Sequence, residues 1–240
     1  MEKSIYISDR YVANYYHFMM LMLTQLRTLD FVPETIYIEH KNIRYVLEIL
    51  SMLFPNSRII SAIECPQGCL SKPSHFDLTL DDHDKNIKEY TFLINLFNPH
   101  IKSYIPNKNY SKKIYISRSD TARRRIENET EIVDLLTNNG FENIVLSKLS
   151  QIESMYIFSN ADIIIGGHGA NLTNLIFCKP GTRVIEITTE QWAYVCRNFQ
   201  LISLELAHIF FTYTTIVEDS YDPVCRSIRV NNPAALLNYI

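Results

Sequence analysis

The residues best placed to do chemistry stand in one run, Gly166-Gly167-His168-Gly169-Ala170-Asn171, with Asn174 just beyond. Three of the chain's six glycines fall there, so the backbone at this point is being asked for something unusual. Before it, the β-branched run Ile163 to Ile165 reads as a buried strand. After it, Leu172, Leu175 and Ile176 recur at helical spacing until Pro180-Gly181 ends the pattern. A strand, a glycine turn and a helix start make an anion site, because unpaired N–H groups and the helix dipole converge on the turn. Phosphate is the expected occupant. His168 can donate there to a phosphate or a sugar hydroxyl, or bond only its own loop, and Asn171 can cap the helix.

A second group is Arg118 with Arg123-Arg124-Arg125, lying between a strand end and a helix start. Guanidinium groups bind phosphate oxygens in pairs and keep their charge, so two of them can neutralise a diphosphate without a metal ion. A solvated loop paired with Glu127 and Glu129 is the competing reading. Asn14-Tyr15-Tyr16-His17 opens the first helix, and an imidazole titrating near neutrality is the usual group to take a proton from a hydroxyl. Asp9 would stand behind His17; packing of that imidazole against the tyrosines is the alternative. Asp82-His83-Asp84 matches the Asp-x-Asp pattern of metal-dependent sugar transferases, whose carboxylates hold magnesium through water. It sits in a polar run and reads as a solvated loop. Glu186 either meets a ribose or is an ordinary acid on a strand.

These groups need elements to hold them. Ser4–Ile7, Thr35–Ile38 and Arg58–Ile60 read as strands, separated by a helix that Asn14 caps (Phe18, Met19, Met22, Leu23, Leu26) and another over Tyr45–Leu53. Residues 64–84 read as loop with a strand near Phe76–Leu80, and Lys88–Phe97 as helix. Pro99–Ser111 is polar and reads as a linker. The rhythm then restarts. Lys113–Ser117 is a strand, Asn128 with Glu131 a capping box, Asn143–Leu146 a strand, and Ser150 with Glu153 a second capping box. Arg183–Ile187 follows as a strand, then Tyr194–Leu206 as helix and Ile209–Val217 as strand. Pro233–Tyr239 is a last short helix capped by Asn232. Strands alternating with helices at this spacing predict an α/β fold with parallel sheets and right-handed crossovers, in two halves that leave a cleft between them. In such sheets ligands sit at the carboxyl ends of the strands, where the glycine turn and the arginine loop both fall.

With 240 residues, 47% hydrophobic and 20% charged, the composition is that of a soluble globular protein. A net charge of -3 argues against a nucleic-acid partner. No signal peptide or bilayer-spanning run is visible, and five irregularly spaced cysteines read as free thiols, so a cytoplasmic setting is expected. The richness in Asn, Ile, Lys and Tyr points to a microbial cell or a virus-infected host cytoplasm.

Taken together, the motifs resemble glycosyltransferase family 61, which includes animal O-linked N-acetylglucosaminyltransferases, plant xylan-decorating enzymes and microbial polysaccharide enzymes. The resemblance covers roughly Tyr115 to Ile187. It rests on Ser117-Arg118, Arg124-Arg125-Ile126-Glu127-Asn128-Glu129, His168-Gly169-Ala170-Asn171-Leu172-Thr173-Asn174, Pro180-Gly181 and Val184-Ile185-Glu186-Ile187. Asn14-Tyr15-Tyr16-His17-Phe18 is similar to the family's N-terminal signature. The family pattern sets its arginine two residues before the isoleucine, which selects Arg124 from the trio. Two departures stand out: Asn171 replaces the usual small residue, and the chain is shorter than most members and lacks their membrane anchor.

The resemblance implies a GT-B arrangement of two Rossmann-like domains facing a cleft, with the N-terminal half reduced: an acceptor-side domain over 1–105, a nucleotide-sugar-binding domain over 112–230, and a C-terminal helix over 231–240. It implies an inverting glycosyltransferase moving a sugar from a nucleotide-diphosphate donor, usually UDP-linked, to a hydroxyl of a glycan or protein-linked acceptor. In that scheme His17 and Asp9 are catalytic, and Arg118, Arg124, Gly167, His168, Gly169, Ala170, Asn171, Asn174 and Glu186 bind the donor. No metal or further cofactor is required, and a homodimer is compatible with it. Against this stand a non-catalytic nucleotide-sugar or glycan-binding protein on the same fold, and an epimerase-like enzyme, disfavoured because no Gly-x-Gly-x-x-Gly turn follows the first strand.

Overall fold

The β-branched runs pair as parallel strands. In a computed structural model, residues 3–7, 13–65, 83–215 and 227–240 are described, with 83–86 given by their backbone. The chain divides into two units, Met1–Phe97 and Asn98–Ile240.

The first unit carries a three-stranded parallel sheet of β1 (Ser4–Ile7), β2 (Thr35–Ile38) and β3 (Arg58–Ser61), in that spatial order. Ile7 pairs with Ile38, and Ile38 with Ser61, so the three carboxyl ends are level. The central strand β2 is buried at all four residues. Asn14 caps α1 (Tyr15–His17) as expected, its Oδ1 accepting from the N–H groups of Tyr16 at 2.9 Å and His17 at 3.4 Å. The segment beyond is not one regular helix. It widens to a π-helix over Phe18–Met22 and tightens to a 3₁₀-helix over Leu23–Thr28. Thr24 and Thr28 donate back to the carbonyls of Met20 at 3.0 Å and Gln25 at 2.9 Å, which competes with the ordinary ladder. In α2 (Arg44–Leu53) the spacing of Val46, Ile49 and Leu50 gives the buried stripe. The strand expected near Phe76–Leu80 lies outside the described residues. Helix α3 (His83–Ser103) buries Tyr90, Leu93 and Phe97 and runs on through Pro99, so the stretch read as a linker from Pro99 is helical as far as Ser103.

The second unit is built on a five-stranded parallel sheet, ordered β5-β4-β6-β7-β8. Its strands are β4 (Lys113–Ile116), β5 (Glu142–Ile144), β6 (Ile163–Gly167), β7 (Arg183–Thr189) and β8 (Ile209–Thr215). Helices α4 (Glu129–Thr137) and α5 (Gln151–Asn160) make the crossovers, and Gly140, at φ 83°, turns the chain after α4. Ser150 caps α5 by accepting from the Glu153 N–H at 3.3 Å. Tyr194–Leu206, expected as one helix, is two: α6 (Glu190–Val195) and α7 (Asn198–Glu205), broken at Cys196-Arg197.

Asn128 does not cap α4 with its side chain. Its Oδ1 accepts from the Val230 N–H at 3.0 Å, while its Nδ2 donates to the Val230 carbonyl at 3.0 Å and to Glu131 at 2.9 Å. The far end of the chain competes successfully for the amide, and a parallel bridge between Ile126 and Ile228 runs beside it. Ile228, Val230 and Leu236 thereby join a core with Tyr115, Ile165 and Ile185. Asn128→Ala leaves both backbone groups of buried Val230 unpaired and is expected to cost about 1–2 kcal/mol, read as a lower thermal midpoint. Among the described residues no helix is long and apolar enough to cross a membrane.

Candidate active site

The second unit gathers its polar residues at the carboxyl edge of β4, β6 and β7. Register explains why: Ile116 of β4 pairs with Gly166 of β6, which pairs with Glu186 of β7. The next residues along the first two strands are therefore Ser117-Arg118 and Gly167-His168, side by side.

Arg118 is the piece around which this edge is folded. Its side chain lies across the glycine turn, so that a Cβ on Gly167 would stand 2.7 Å from Arg118 Cδ, and one on Gly169 only 1.9 Å from Nη1. The backbone of Gly169, at φ 165°, is extended and open to any residue. Glycine is needed there for space, and the turn read as a phosphate cradle is first of all a seat for a guanidinium. Arg118 Nε donates to the Arg124 carbonyl and Nη2 to the Arg123 carbonyl, each at 2.8 Å. Nη1 makes no hydrogen bond among the described residues and is the donor left for a ligand. Although only 5% of Arg118 is exposed, burial and the neighbouring Arg124 lower its guanidinium just to about 10, so it stays charged at neutral pH. Its backbone N–H and the Tyr115 hydroxyl both donate to Glu129 Oε1, at 2.7 and 3.0 Å, fastening the end of β4 to the start of α4. Burial, and then that carboxylate, hold the Tyr115 phenol well above its usual range, which keeps it a donor.

Arg124 adopts a left-handed backbone, φ 51°, that a side-chain-bearing residue rarely takes. The two carbonyls bonded to Arg118 maintain it. Its Nε donates to the His168 carbonyl at 3.3 Å, and its guanidinium carbon lies 5.6 Å from the centre of the Trp192 ring. Arg118 and Arg124 are thus brought to one turn from either end of the basic loop.

His168 is buried, and its Nδ1 stands 2.5 Å from Glu186 Oε1. The carboxylate can only accept, so in the neutral ring Nδ1 carries the proton and Nε2 is left as the acceptor. The edge of Trp192, 5.3 Å away, and Phe199, 5.1 Å away, fix the imidazole plane. Glu186, read as a ribose contact, is engaged by this histidine. In Glu186→Gln the neutral amide oxygen still accepts from Nδ1 but forfeits the charge assistance; if the site acts as the resemblance implies, the expected outcome is about a tenfold lower transfer rate. Comparing initial rates of the two proteins checks it.

Beyond the turn, Ala170–Phe177 is a 3₁₀-helix capped by Gly169, where an α-helix capped by Asn171 was expected. The Gly169 carbonyl is taken by the Leu172 N–H at 2.9 Å, and Asn171 sits inside the first turn. Leu172 to Phe177 are all buried, and burial of every face of this short segment overrides the α-helical spacing. Asn174 is 2% exposed and its Nδ2 lies 3.5 Å from the Asn171 carbonyl. Positive charge at the turn therefore comes chiefly from Arg118 and Arg124.

Trp192 went unnoticed in the sequence. It follows β7 by three residues, and its N–H bonds to the capping Thr189 Oγ1 at 3.1 Å. Its indole Nε1 is buried without a hydrogen-bond partner among the described residues. With Arg124 and His168 it walls a recess floored by Ile187 and Ile228, with Thr188 and Thr189 alongside. Its being the chain's one tryptophan, just past a strand end, was the available signal.

The remaining expected residues lie elsewhere. His17 belongs to the first unit, at the end of α1, with its ring edge-on to Tyr16 at 5.6 Å. Asp9 and Asp82 lie outside the described residues, and His83 and Asp84 open α3 rather than a loop. Among the described residues no three His, Cys, Asp or Glu side chains are grouped so as to hold a metal ion.

The class is that of a sugar-transferring enzyme. Residues 15–185, most of the chain, match the family model described as Glycosyltransferase 61, and the chain belongs to that family. A search of curated proteins finds no match.

Proposed function

We propose that this glycosyltransferase takes its sugar from a nucleotide diphosphate, a UDP-sugar in the first instance, and inverts the anomeric carbon as it passes the sugar to an acceptor hydroxyl. The observation that carries the reading is Arg124, held by Arg118 in a strained left-handed conformation beside the buried His168–Glu186 pair. Strain of this kind persists only where the surroundings enforce it.

In this reading the diphosphate meets Arg118 Nη1 and the Arg124 guanidinium above Gly167 and Gly169, with Ala170, Asn171 and Asn174 at the head of the 3₁₀-helix. As the bond from the anomeric carbon to the donor phosphate oxygen breaks, the leaving diphosphate gains charge. Two fixed guanidinium groups in a site walled by Trp192 stabilise that charge, and no metal ion is needed for it. His168 keeps its imidazole plane through Glu186 and presents Nε2 as an acceptor for a ligand hydroxyl. The acceptor oxygen attacks from the face opposite the leaving group and gives up its proton to a base, for which His17, backed by Asp9, is the candidate. The two units then correspond to the acceptor and donor sides of a GT-B enzyme.

The test is a panel of UDP-sugars with a mixed glycan acceptor in EDTA, the product's anomeric configuration being read by proton NMR. Turnover with inversion supports the reading. Turnover with retention overturns the mechanism, and absence of turnover and of donor hydrolysis with every sugar overturns the transfer.

A further inference from the structure

The basic loop between β4 and α4 is held at both of its ends. Upstream, the Arg118 guanidinium takes the carbonyls of Arg123 and Arg124. Downstream, a segment from the far end of the chain takes the residues that follow. The Ile228 N–H donates to the Arg125 carbonyl and the Glu127 N–H to the Ile228 carbonyl, each at 2.8 Å, which forms the parallel bridge between Ile126 and Ile228. Two residues on, both backbone groups of Val230 are bonded by the Asn128 side-chain amide at 3.0 Å. The Thr215 hydroxyl, at the end of β8, donates to the Arg229 carbonyl and so steadies the same segment.

Arg124 lies between these two sets of bonds. The carbonyls of Arg123, Arg124 and Arg125 are all taken, and a left-handed backbone such as that of Arg124, φ 51°, persists only where its surroundings over-determine it. The segment also reaches the site itself. Buried Ile228 lines the recess with Arg124, His168 and Trp192. That recess encloses about 10 Å³, room for one water molecule, so little separates the Ile228 floor from the Trp192 wall. The family match ends at residue 185. Arg124 and His168 fall inside it, whereas Trp192 and Ile228 lie beyond it.

We infer that residues 228–230 are a positioning element of the donor site, which hold Arg124 through the bonds of Ile228 to its neighbours and floor the recess beside Trp192. The ligand's identity rests on the transferase reading above; the clamp rests on the hydrogen bonds alone. Asn128 and Thr215 act through this segment: neither touches the ligand, and each fixes the backbone that fixes the arginine. Loosening the segment therefore leaves both guanidinium groups in the chain but lowers the share of molecules in which Arg124 is set for a diphosphate.

The experiment uses the full chain, whose one tryptophan lines the recess, so its fluorescence reports this place and no other. Asn128→Ala releases Val230; Met155→Ala, a buried change on α5 outside the core that holds Ile228, controls for lost stability. Acrylamide quenching is measured on ligand-free protein well below every midpoint, and UDP is then titrated by calorimetry in EDTA. In Asn128→Ala the quenching constant should rise about twofold as the recess opens locally. Its UDP dissociation constant should rise about fivefold, as when the arginine loop is set in about one molecule in five. Met155→Ala should match the wild type in both readings despite its lower midpoint. Thr215→Val keeps the side chain's shape and loses its bond to the Arg229 carbonyl. It should show both changes in smaller measure, and it carries the test if Asn128→Ala does not fold. Wild-type quenching in both Asn128→Ala and Thr215→Val overturns the clamp, as does an equal rise in Met155→Ala. Unchanged UDP affinity in variants whose quenching has risen overturns the positioning of Arg124. A wild type that binds no UDP, with quenching raised in Asn128→Ala and not in Met155→Ala, sustains the clamp and removes the donor reading instead.

Discussion

Arg124→Gly is expected to lose about a hundredfold to a thousandfold in transfer rate while its thermal midpoint stays within roughly 2 °C of the wild type. On the proposed function, the activity loss follows from removing one of two fixed donors aimed at the charge that develops on the leaving diphosphate. The unchanged midpoint follows from opposed backbone terms. A side-chain-bearing residue at φ 51° carries about 1–2 kcal/mol of left-handed strain, which glycine relieves, against about 0.5–1 kcal/mol of extra chain entropy that glycine loses on folding. Loss of the partly buried cation–π contact with Trp192 and of the 3.3 Å bond to the His168 carbonyl opposes that relief. Arg124→Ala keeps the strain and lacks the guanidinium, so it should be as inactive and melt lower. Equal rates in the wild type and Arg124→Gly would reduce Arg124 to a cation on a surface loop.

Gly169→Ala should show the largest loss of stability, about 3 kcal/mol, although the substitution adds a single methyl group to an extended backbone. The new Cβ would lie 1.9 Å from Arg118 Nη1 and 2.8 Å from its central carbon. A free arginine would swing aside. This one is 5% exposed and tied to the carbonyls of Arg123 and Arg124, and each hydrogen bond from a charged group is worth about 1.5–3 kcal/mol. The four proteins of the cycle (wild type, Gly169→Ala, Arg118→Ala and the double variant) should be strongly non-additive, the second change costing much less than the first. Additive losses would mean that the glycine serves the turn and not the arginine. Because the displaced guanidinium also releases the Arg124 carbonyl, Gly169→Ala should weaken UDP binding as well.

Both predictions depend on contacts that no local pattern reveals. The strands were legible, since runs such as Ile163–Ile165 and Ile114–Ile116 are β-branched or aromatic, and their alternation with helices implied parallel pairing. So was the convergence of the glycine turn and the arginine loop, because both follow strands that the register makes neighbours. The purpose of Gly167 and Gly169 was not legible: a glycine that makes room for a phosphate and one that makes room for Arg118 look alike in sequence. The partners of Asn128 and Glu186 were equally hidden: Val230, distant in the chain, takes Asn128 in place of the local cap expected of it, and His168 takes Glu186, which read as a ribose contact or an ordinary acid on a strand. The 3₁₀ geometry of Ala170–Phe177 reflects burial of Leu172 to Phe177 on every face, and the π and 3₁₀ geometry of Phe18–Thr28 accompanies the back-bonding of Thr24 and Thr28, neither of which helical spacing reveals.

The most direct measurement is titration calorimetry of UDP, in EDTA, into the wild type and Arg124→Gly. Saturable binding to the wild type, at least tenfold weaker in the variant at equal midpoint, is predicted, a difference of about 1.4 kcal/mol or more. The same dissociation constant in both proteins, or no binding to the wild type, would contradict a donor site built on Arg124.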